Sequence, residues 1–522
     1  MEIHRHPNQK SSPFTIPEIA QILCSFVDQK DMLNVALSCR VFYYAMIGRL
    51  WHTIQPQSYM MLRKIKNALD GKGRHWKTQL DPQYHYLVKE FKCQLKDDFT
   101  SINRSYLSSP SSSSSTTATI ERPFFDSFLF PKLNKFIFSY AAAQDNSIAP
   151  ILRASHHLRY IDLSHCYCLS TEAIQPLLDL PTSRLETVIL YGCGKIESSA
   201  LITLIEQHHQ TLTCLKLTDI TDGVLNAIQK CHQLRDFGLE HCSDDSLTYS
   251  AITKFTNSLI SSTTTSISSL PSSSYSSALS TTNSYLSSSS SLISSSLAYT
   301  SSSSSLALTK TKNTALTLSS SLSTINNNNN NKNNKIQFNK LRLRDIPNLK
   351  SEHLIAIAIS SHTSLIHLEM SECSKITSEG LIELARHCPN LETVCLAYQP
   401  GMTNTVLQSF AQHCQRLKQL DITGNYSLTD ACFLYKPMHL ISLNISGLET
   451  QFSHNLIYQL LLQLPHLHEL CLGVAFDLNE AFSILDQVNH HFQGNNNNHD
   501  HGHAENIIYD LNVEKYHTIC RK

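Results

Sequence analysis

One unit, Leu-x-x-Leu-x-Leu with aliphatic or aromatic substitutes, recurs along this chain and restricts its fold more than any other feature. It starts at Leu158, Leu185, Leu212 and Leu234, and again at Phe338, Leu365, Leu391, Leu417, Leu440 and Leu467. Successive starts lie 27, 27 and 22 residues apart in the first run, and 27, 26, 26, 23 and 27 apart in the second. Leu133, Phe136 and Phe138 read as a weaker first copy. A unit this short cannot bury its own apolar face, so copies must stack, and the constant period predicts a solenoid.

The two halves of a unit carry different periods. Around Leu368-Glu369-Met370 apolar and polar residues alternate, the pattern of a short strand. Leu381, Leu384, Ala385 and Cys388 then follow at helical spacing. Parallel strands stack about 4.8 Å apart and helices about 8–10 Å apart, so an array of both curves with its strands inside. The expected fold class is α/β, a leucine-rich solenoid with parallel strands inside and helices outside. Alternation puts Tyr160, Asp162, Thr187, Tyr191, Lys216, Asp236, Glu240, Lys340, Arg342, Arg344, His367, Glu369, Tyr398, Gln419 and Asp421 on the open concave side. Repeat proteins bind through that surface.

These units resemble the cysteine-containing class of leucine-rich repeat. The copy from Leu365 shows the pattern nearly throughout: Leu368, Met370, Ser371, Cys373, Ile376, Thr377, Gly380, Leu381, Leu384, Cys388 and Pro389. Copies at Leu158 and Leu185 share its first half. Those at Leu212, Leu417 and Leu440 lack the cysteine after the strand.

A second block occupies residues 14–54. Thr15 and Glu18 have capping-box spacing, and Pro17 sits in the first turn. Ile19, Leu23 and Phe26 form a helical stripe, and Leu33, Val35, Ala36 and Leu37 open a second apolar helix. A block of some 40 residues buries too little surface to be very stable alone, which leaves an apolar face for a partner. Ile16-Pro17-Glu18-Ile19, Leu23, Phe26, Leu33, Ala36, Ser38-Cys39-Arg40, Phe42 and Leu50-Trp51 resemble an F-box. That resemblance implies a three-helix motif docking on the adaptor of SCF-type ubiquitin ligases, through Ile16, Pro17, Ile19, Leu23, Leu33, Ala36, Cys39 and Trp51. Phe42-Tyr43 stands where many members carry tryptophan.

Composition sets the rest. The 42 basic and 42 acidic side chains cancel, which argues against nucleic acid or an anionic membrane as the main partner. Residues 1–13 are polar and lack a secretory signal's apolar core, and stretches such as 354–359 and 456–462 are far short of a membrane span. The expected compartment is the cytoplasm, the nucleus or both, with sixteen cysteines kept as thiols. Residues 108–119, 257–335 and 489–503 are Ser/Thr-, Asn- or His-rich and read as disordered. The expected organisation is an F-box at 14–54, a linker and cap at 55–130, repeats at 131–256, an insertion at 257–336, further repeats at 337–488, and a polar tail at 489–522.

No motif for catalysis stands out. Gly71-Lys72-Gly73-Arg74 lacks P-loop spacing and reads as a solvated basic linker. Cys166-x-Cys168 has no second pair at zinc spacing, and the cysteines fall about one per repeat, as packing residues do. His499, His501 and His503 read as a polar tail rather than a metal site. Neither an active site nor a cofactor is expected. Taken with the two resemblances, the chain is expected to be a non-catalytic ligase subunit that holds a protein target on its repeats. The alternative is a repeat scaffold binding a regulatory protein without ubiquitin output.

Overall fold

The computed structural model describes residues 17–28, 31–70, 84–94, 128–139, 143–179, 184–260, 336–433, 439–464, 466–495 and 508–521. Ile16 and the stretches 71–74, 108–119, 261–335 and 496–503 lie outside them. Among the described residues fifteen strands form one sheet. Its strands are β1 (Thr53–Ile54), β2 (Glu90–Cys93), β3 (Lys135–Phe138), β4 (Tyr160–Asp162), β5 (Thr187–Ile189), β6 (Cys214–Thr218), β7 (Asp236–Glu240) and β8 (Lys340–Arg344). Then come β9 (His367–Ser371), β10 (Thr393–Cys395), β11 (Gln419–Asp421), β12 (Ser442–Asn444), β13 (Glu469–Cys471), β14 (Tyr509–Asn512) and β15 (Thr518–Arg521). Neighbours from β1 to β13 pair in parallel and in sequence order, the signature of a leucine-rich-repeat-like α/β solenoid.

Each strand is short because one apolar side chain per pleat, such as Ile161, Leu215 or Leu368, points inward between half-exposed neighbours. The chain returns through a helix on the other face. These helices are α5 (Asp145–Ala154), α6 (Thr171–Asp179), α7 (Ser198–His208), α8 (Asp222–Ile228), α9 (Tyr249–Ile260), α10 (Ser351–Ser360), α11 (Ser378–His387), α12 (Asn404–His413), α13 (His454–Gln463) and α14 (Leu478–Asn495), where α1 to α4 lie upstream. In α11 the buried residues are Gly380, Leu381, Leu384 and Ala385, one stripe at helical spacing. A single core runs between strands and helices from Ile54 to Ile519. The two runs of repeats are one array, because Asp236 pairs with Lys340 and Glu240 with Arg344.

The array extends beyond both ends of the leucine pattern. At the front, β1 takes the last two residues of the expected F-box, α4 (Tyr59–Leu69) and β2 lie within the expected linker, and Phe91 packs on Phe128, Phe130 and Phe136 with centroids 5.6, 5.7 and 5.9 Å away. At the back, α14 runs to Asn495 and β14 and β15 form a hairpin, where a polar tail was expected. The hairpin pairs antiparallel with β13 and seats Tyr509 and Ile519 in the core. An array of stacked repeats needs its last apolar face covered, and these elements cover it. Residues 257–260, expected in the insertion, complete α9 with Leu259 buried.

Upstream of the sheet, α1 (Pro17–Ser25), α2 (Met32–Ser38) and α3 (Arg40–Leu50) form a small block. Cys24, Ala36 and Met46 are its interior, flanked by Val27, Met32, Val35, Phe42, Ala45 and Leu50. The Arg49 guanidinium donates to the carbonyls of Cys24 and Val27, which satisfies the end of α1. Among the described residues no helix is long and apolar enough to cross a membrane.

Candidate protein-binding surfaces

In the helical block, Ile22 and Phe26 share one face of α1 and its exit turn, and Leu33 and Leu37 share one face of α2. Water reaches 61% of Ile22, 39% of Leu23, 82% of Phe26, 57% of Leu33, 71% of Leu37 and 54% of Tyr44. So many large apolar side chains left in solvent mark a surface built to be covered. Of the residues assigned to docking, Leu23, Leu33 and Cys39 are exposed and Ile19 is half-buried; Pro17 opens α1. Two take other positions. Ala36 is 3% exposed, because the block needs a small residue in its interior, and it cannot meet a partner. Trp51 faces the solenoid, stacked on Tyr84 with centroids 4.4 Å apart, while the Tyr43 and Tyr84 hydroxyls lie 3.1 Å apart. It joins block to array. Ile22, Phe26, Leu37 and Tyr44 were not assigned to docking; their helical spacing alone reads equally as interior stripe.

The second surface is the sheet face turned away from the helices. Pairing register lines its residues up in rows across the strands. One row contains Tyr160, Thr187, Cys214, Asp236, Lys340, His367, Thr393 and Gln419. The next contains Asp162, Ile189, Lys216, Gly238, Arg342, Glu369, Cys395 and Asp421. Register therefore brings together Tyr160, Asp162, Lys216, Asp236, Arg342, His367, Glu369 and Asp421, with Arg344 in a third row beside Glu240 and Ser371. Tyr398 lies outside the rows, in the turn after β10, half-exposed with its ring against Gly424.

Several of these groups already have partners. Arg342 binds Glu369 through Nε and Nη2 at 2.5 Å, and Lys216 lies 3.3 Å from Asp236. Arg344 holds Glu372 at 2.9 Å, and Lys135 sits 4.3 Å above the Tyr160 ring. Burial pushes the Tyr160 hydroxyl up to about 12 and keeps His367 below the usual imidazole range. Asp162 and Asp421 hold their own turns: Oδ1 of Asp162 accepts from the Ser164 amide and hydroxyl at 3.0 and 2.5 Å, and Asp421 does the same for Thr423 at 3.0 and 2.6 Å. Asn444 repeats the motif with Ser446. These are local side-chain turns first and contact groups second.

Tyr191 is buried, 4% exposed, rather than projecting from the face. It follows β5 in a turn, and its ring crosses to β7, where Gly238 leaves room for it; any Cβ at 238 would collide with the Tyr191 hydroxyl. The Arg342 guanidinium lies 5.4 Å from that ring's centroid. Gln94, Ser139, Asp162, Ser164, His165, Ile189, Tyr191, Lys216 and Arg342 together line a cavity of about 500 Å³ on this face. Gly238, Gln94, Ser139, Ser164 and His165 gave no sign of this in the sequence, since strand alternation does not show where turns converge.

The cysteines bind repeat to repeat. Cys166 donates to the Phe138 carbonyl at 3.3 Å, Cys193 to Leu163 at 3.1 Å, and Cys414 to Cys388 at 3.4 Å. Burial pushes the thiols of Cys193, Cys388 and Cys414 up to about 12, so they stay protonated near neutrality. Gln399 and Asn425 stand in for cysteine two repeats running: the Gln399 amide donates to Asn425 Oδ1 at 2.9 Å, and Gln399 Nε2 to the Cys373 carbonyl at 2.8 Å.

No family model matches the chain. A segment of 83 residues is 32% identical to the DNA repair protein rhp7 of Schizosaccharomyces pombe; it spans 15% of this chain and 15% of that protein. Among solved structures, the chain is similar to a Rad7 and Elc1 complex in yeast, at 13% identity and a TM-score of 0.41, over 81% of this chain and 92% of that one. The leucine-rich repeat-containing protein LegL7 of Legionella pneumophila matches at 12% identity and 0.29, over 70% and 89%. A TLR13–ssRNA13 complex matches at 12% and 0.28, over 75% and 36%.

Proposed function

We propose that this chain is the substrate-recognition subunit of an SCF-type E3 ubiquitin ligase, with its helical block on the adaptor and a protein target on the open face of its sheet. The observation that carries the reading is the apolar face of the block, with Leu23, Phe26, Leu33 and Leu37 in solvent beside an F-box-like sequence. Chemistry would belong to other subunits, and this chain would contribute proximity and orientation. The segment shared with a DNA repair protein favours the nucleus of the two expected compartments.

The test is co-purification of the full chain with the SCF adaptor, using Elc1, the crystallised partner of Rad7, as a second bait. Fully burying a leucine contributes about 1.5–3 kcal/mol, so Leu23→Asp with Leu33→Asp should weaken adaptor binding ~100-fold or more. Both positions face solvent, so the thermal melt should not change. Capture of the SCF adaptor by the wild type and not by the double variant supports the reading, whereas capture of Elc1 alone keeps a ligase subunit and removes the SCF assignment. Equal capture by both proteins, or by neither, removes it and leaves the scaffold reading.

A further inference from the structure

We propose that the cavity beside Gly238 receives an anionic side chain of the target, a carboxylate or a phosphorylated hydroxyl, between Lys216 and Arg342. This rests on the reading of the sheet face as the target surface. Lys216, Gly238 and Arg342 are consecutive members of one row, so the Cα atoms of the two cationic residues stand about 9–10 Å apart, and the Tyr191 hydroxyl takes the place that a side chain at 238 would fill. The cavity of about 500 Å³ that Lys216 and Arg342 line together with Tyr191 accommodates one group bearing several oxygens. Tyr191 lies beneath it and fixes the guanidinium through its ring face.

The lining favours an acceptor over a donor. Besides the two cations it contains Ser139, Gln94 and His165, all able to donate. Among the described residues its one acid is Asp162, whose Oδ1 already takes two hydrogen bonds from Ser164. Asp236 and Glu369, which hold Lys216 and Arg342 in the free protein, are not part of the lining. An incoming anion would exchange with them across partly solvated ion pairs, a small change for each side. Glu369 takes the Nε and Nη2 donors of Arg342. A peptide fits better than nucleic acid, because Glu369 in the same row and Asp236 and Glu240 in the neighbouring rows interleave with the cations, and a phosphate backbone would meet those acids.

The experiment uses the full chain and fluorescent degenerate peptide pools whose fixed central residue is phosphoserine, glutamate, alanine or lysine, read by anisotropy. An anionic pool should bind about tenfold or more tightly than the alanine pool, the effect of one or two charge-assisted hydrogen bonds. Lys216→Gln and Arg342→Gln should each remove most of that difference, with melts alongside to show that they fold. The phosphoserine and glutamate arms separate the two sources of the anion. Equal binding of anionic and alanine pools, preference for lysine, an unchanged profile in both variants, or tighter binding of a labelled DNA duplex would each overturn the proposal. No adaptor is present in this assay, so its failure and failure of the ligase reading are told apart.

Discussion

Ten successive turns, after β4 through β13, each place one residue in the left-handed region: His165, Gly192, Asp219, His241, Asp345, Glu372, Tyr398, Gly424, Gly447 and Gly473. A side chain there costs about 1–2 kcal/mol. Two of those present touch a neighbouring repeat: His241 lies 3.0 Å from Asp345, and Glu372 accepts from Arg344. Gly424 is different, since it has φ +66° and the Tyr398 ring lies against it. Gly424→Ala should therefore lose about 1–2 kcal/mol and lower the melting temperature by roughly 2–4 °C. Gly194→Ala, with nothing within 4 Å of its new methyl, is the control and should melt like the wild type. Equal melting of the two variants would contradict the crowding at 424. Residue identity made part of this legible. Aspartate two before serine or threonine, as in Asp162-x-Ser164, is a turn signal readable without coordinates. The Tyr191–Gly238 crossing was not, because it joins a turn residue after β5 to a strand two further along.

Helix starts form a second set of ties. Asp145, first residue of α5, accepts the Ser170 amide and hydroxyl at 2.8 and 2.7 Å, just ahead of α6. Asp222 of α8 does the same for Thr248 ahead of α9, at 2.8 and 2.7 Å, and Asp430 for Ser453 ahead of α13, at 2.9 and 2.5 Å. Each carboxylate satisfies donors at the start of the next helix, where backbone N–H groups have no partner within their own helix. Asp222→Ala should cost about 1–3 kcal/mol, the range for a lost charge-assisted hydrogen bond with its donor left unpaired. Asp222→Asn keeps one acceptor and should fall between. Chemical denaturation of both variants checks the order; an alanine variant as stable as wild type would show that water replaces the carboxylate at no loss. Elements themselves were legible where the period was strong, as in α11 and β9. The two ends were not: Glu90-Phe91-Lys92-Cys93 stands alone without a leucine frame, and Tyr509-Asp510-Leu511-Asn512 is too polar to announce a strand. Those strands are fixed by the neighbours they pair with.

At the scale of the whole array, continuity across the 79-residue gap between α9 and β8 is the most consequential feature. Ile260 ends a helix, Lys340 starts a strand, and β8 pairs with β7 in the same register as any adjacent copies. Helix contacts continue too: α9 packs on α10, the Tyr249 ring lies 5.0 Å from His353, and Thr253 Oγ1 is 2.9 Å from the His353 ring. In an uninterrupted copy, residues 229–235 alone join α8 to β7. The junction thus has the pairing, core and helix contacts of an ordinary repeat boundary. Joining its ends should be entropically cheap at either length, since loop closure grows by only about 0.6 kcal/mol per doubling. Replacing residues 261–335 with a linker of about four Gly/Ser residues changes the length by roughly four doublings. It should stabilise by no more than about 2–3 kcal/mol and leave one cooperative transition. A thermal melt with circular dichroism reads both. A lower melting temperature, or two separated transitions, would show that the replaced segment supports the boundary and that β7–β8 pairing is not sufficient by itself.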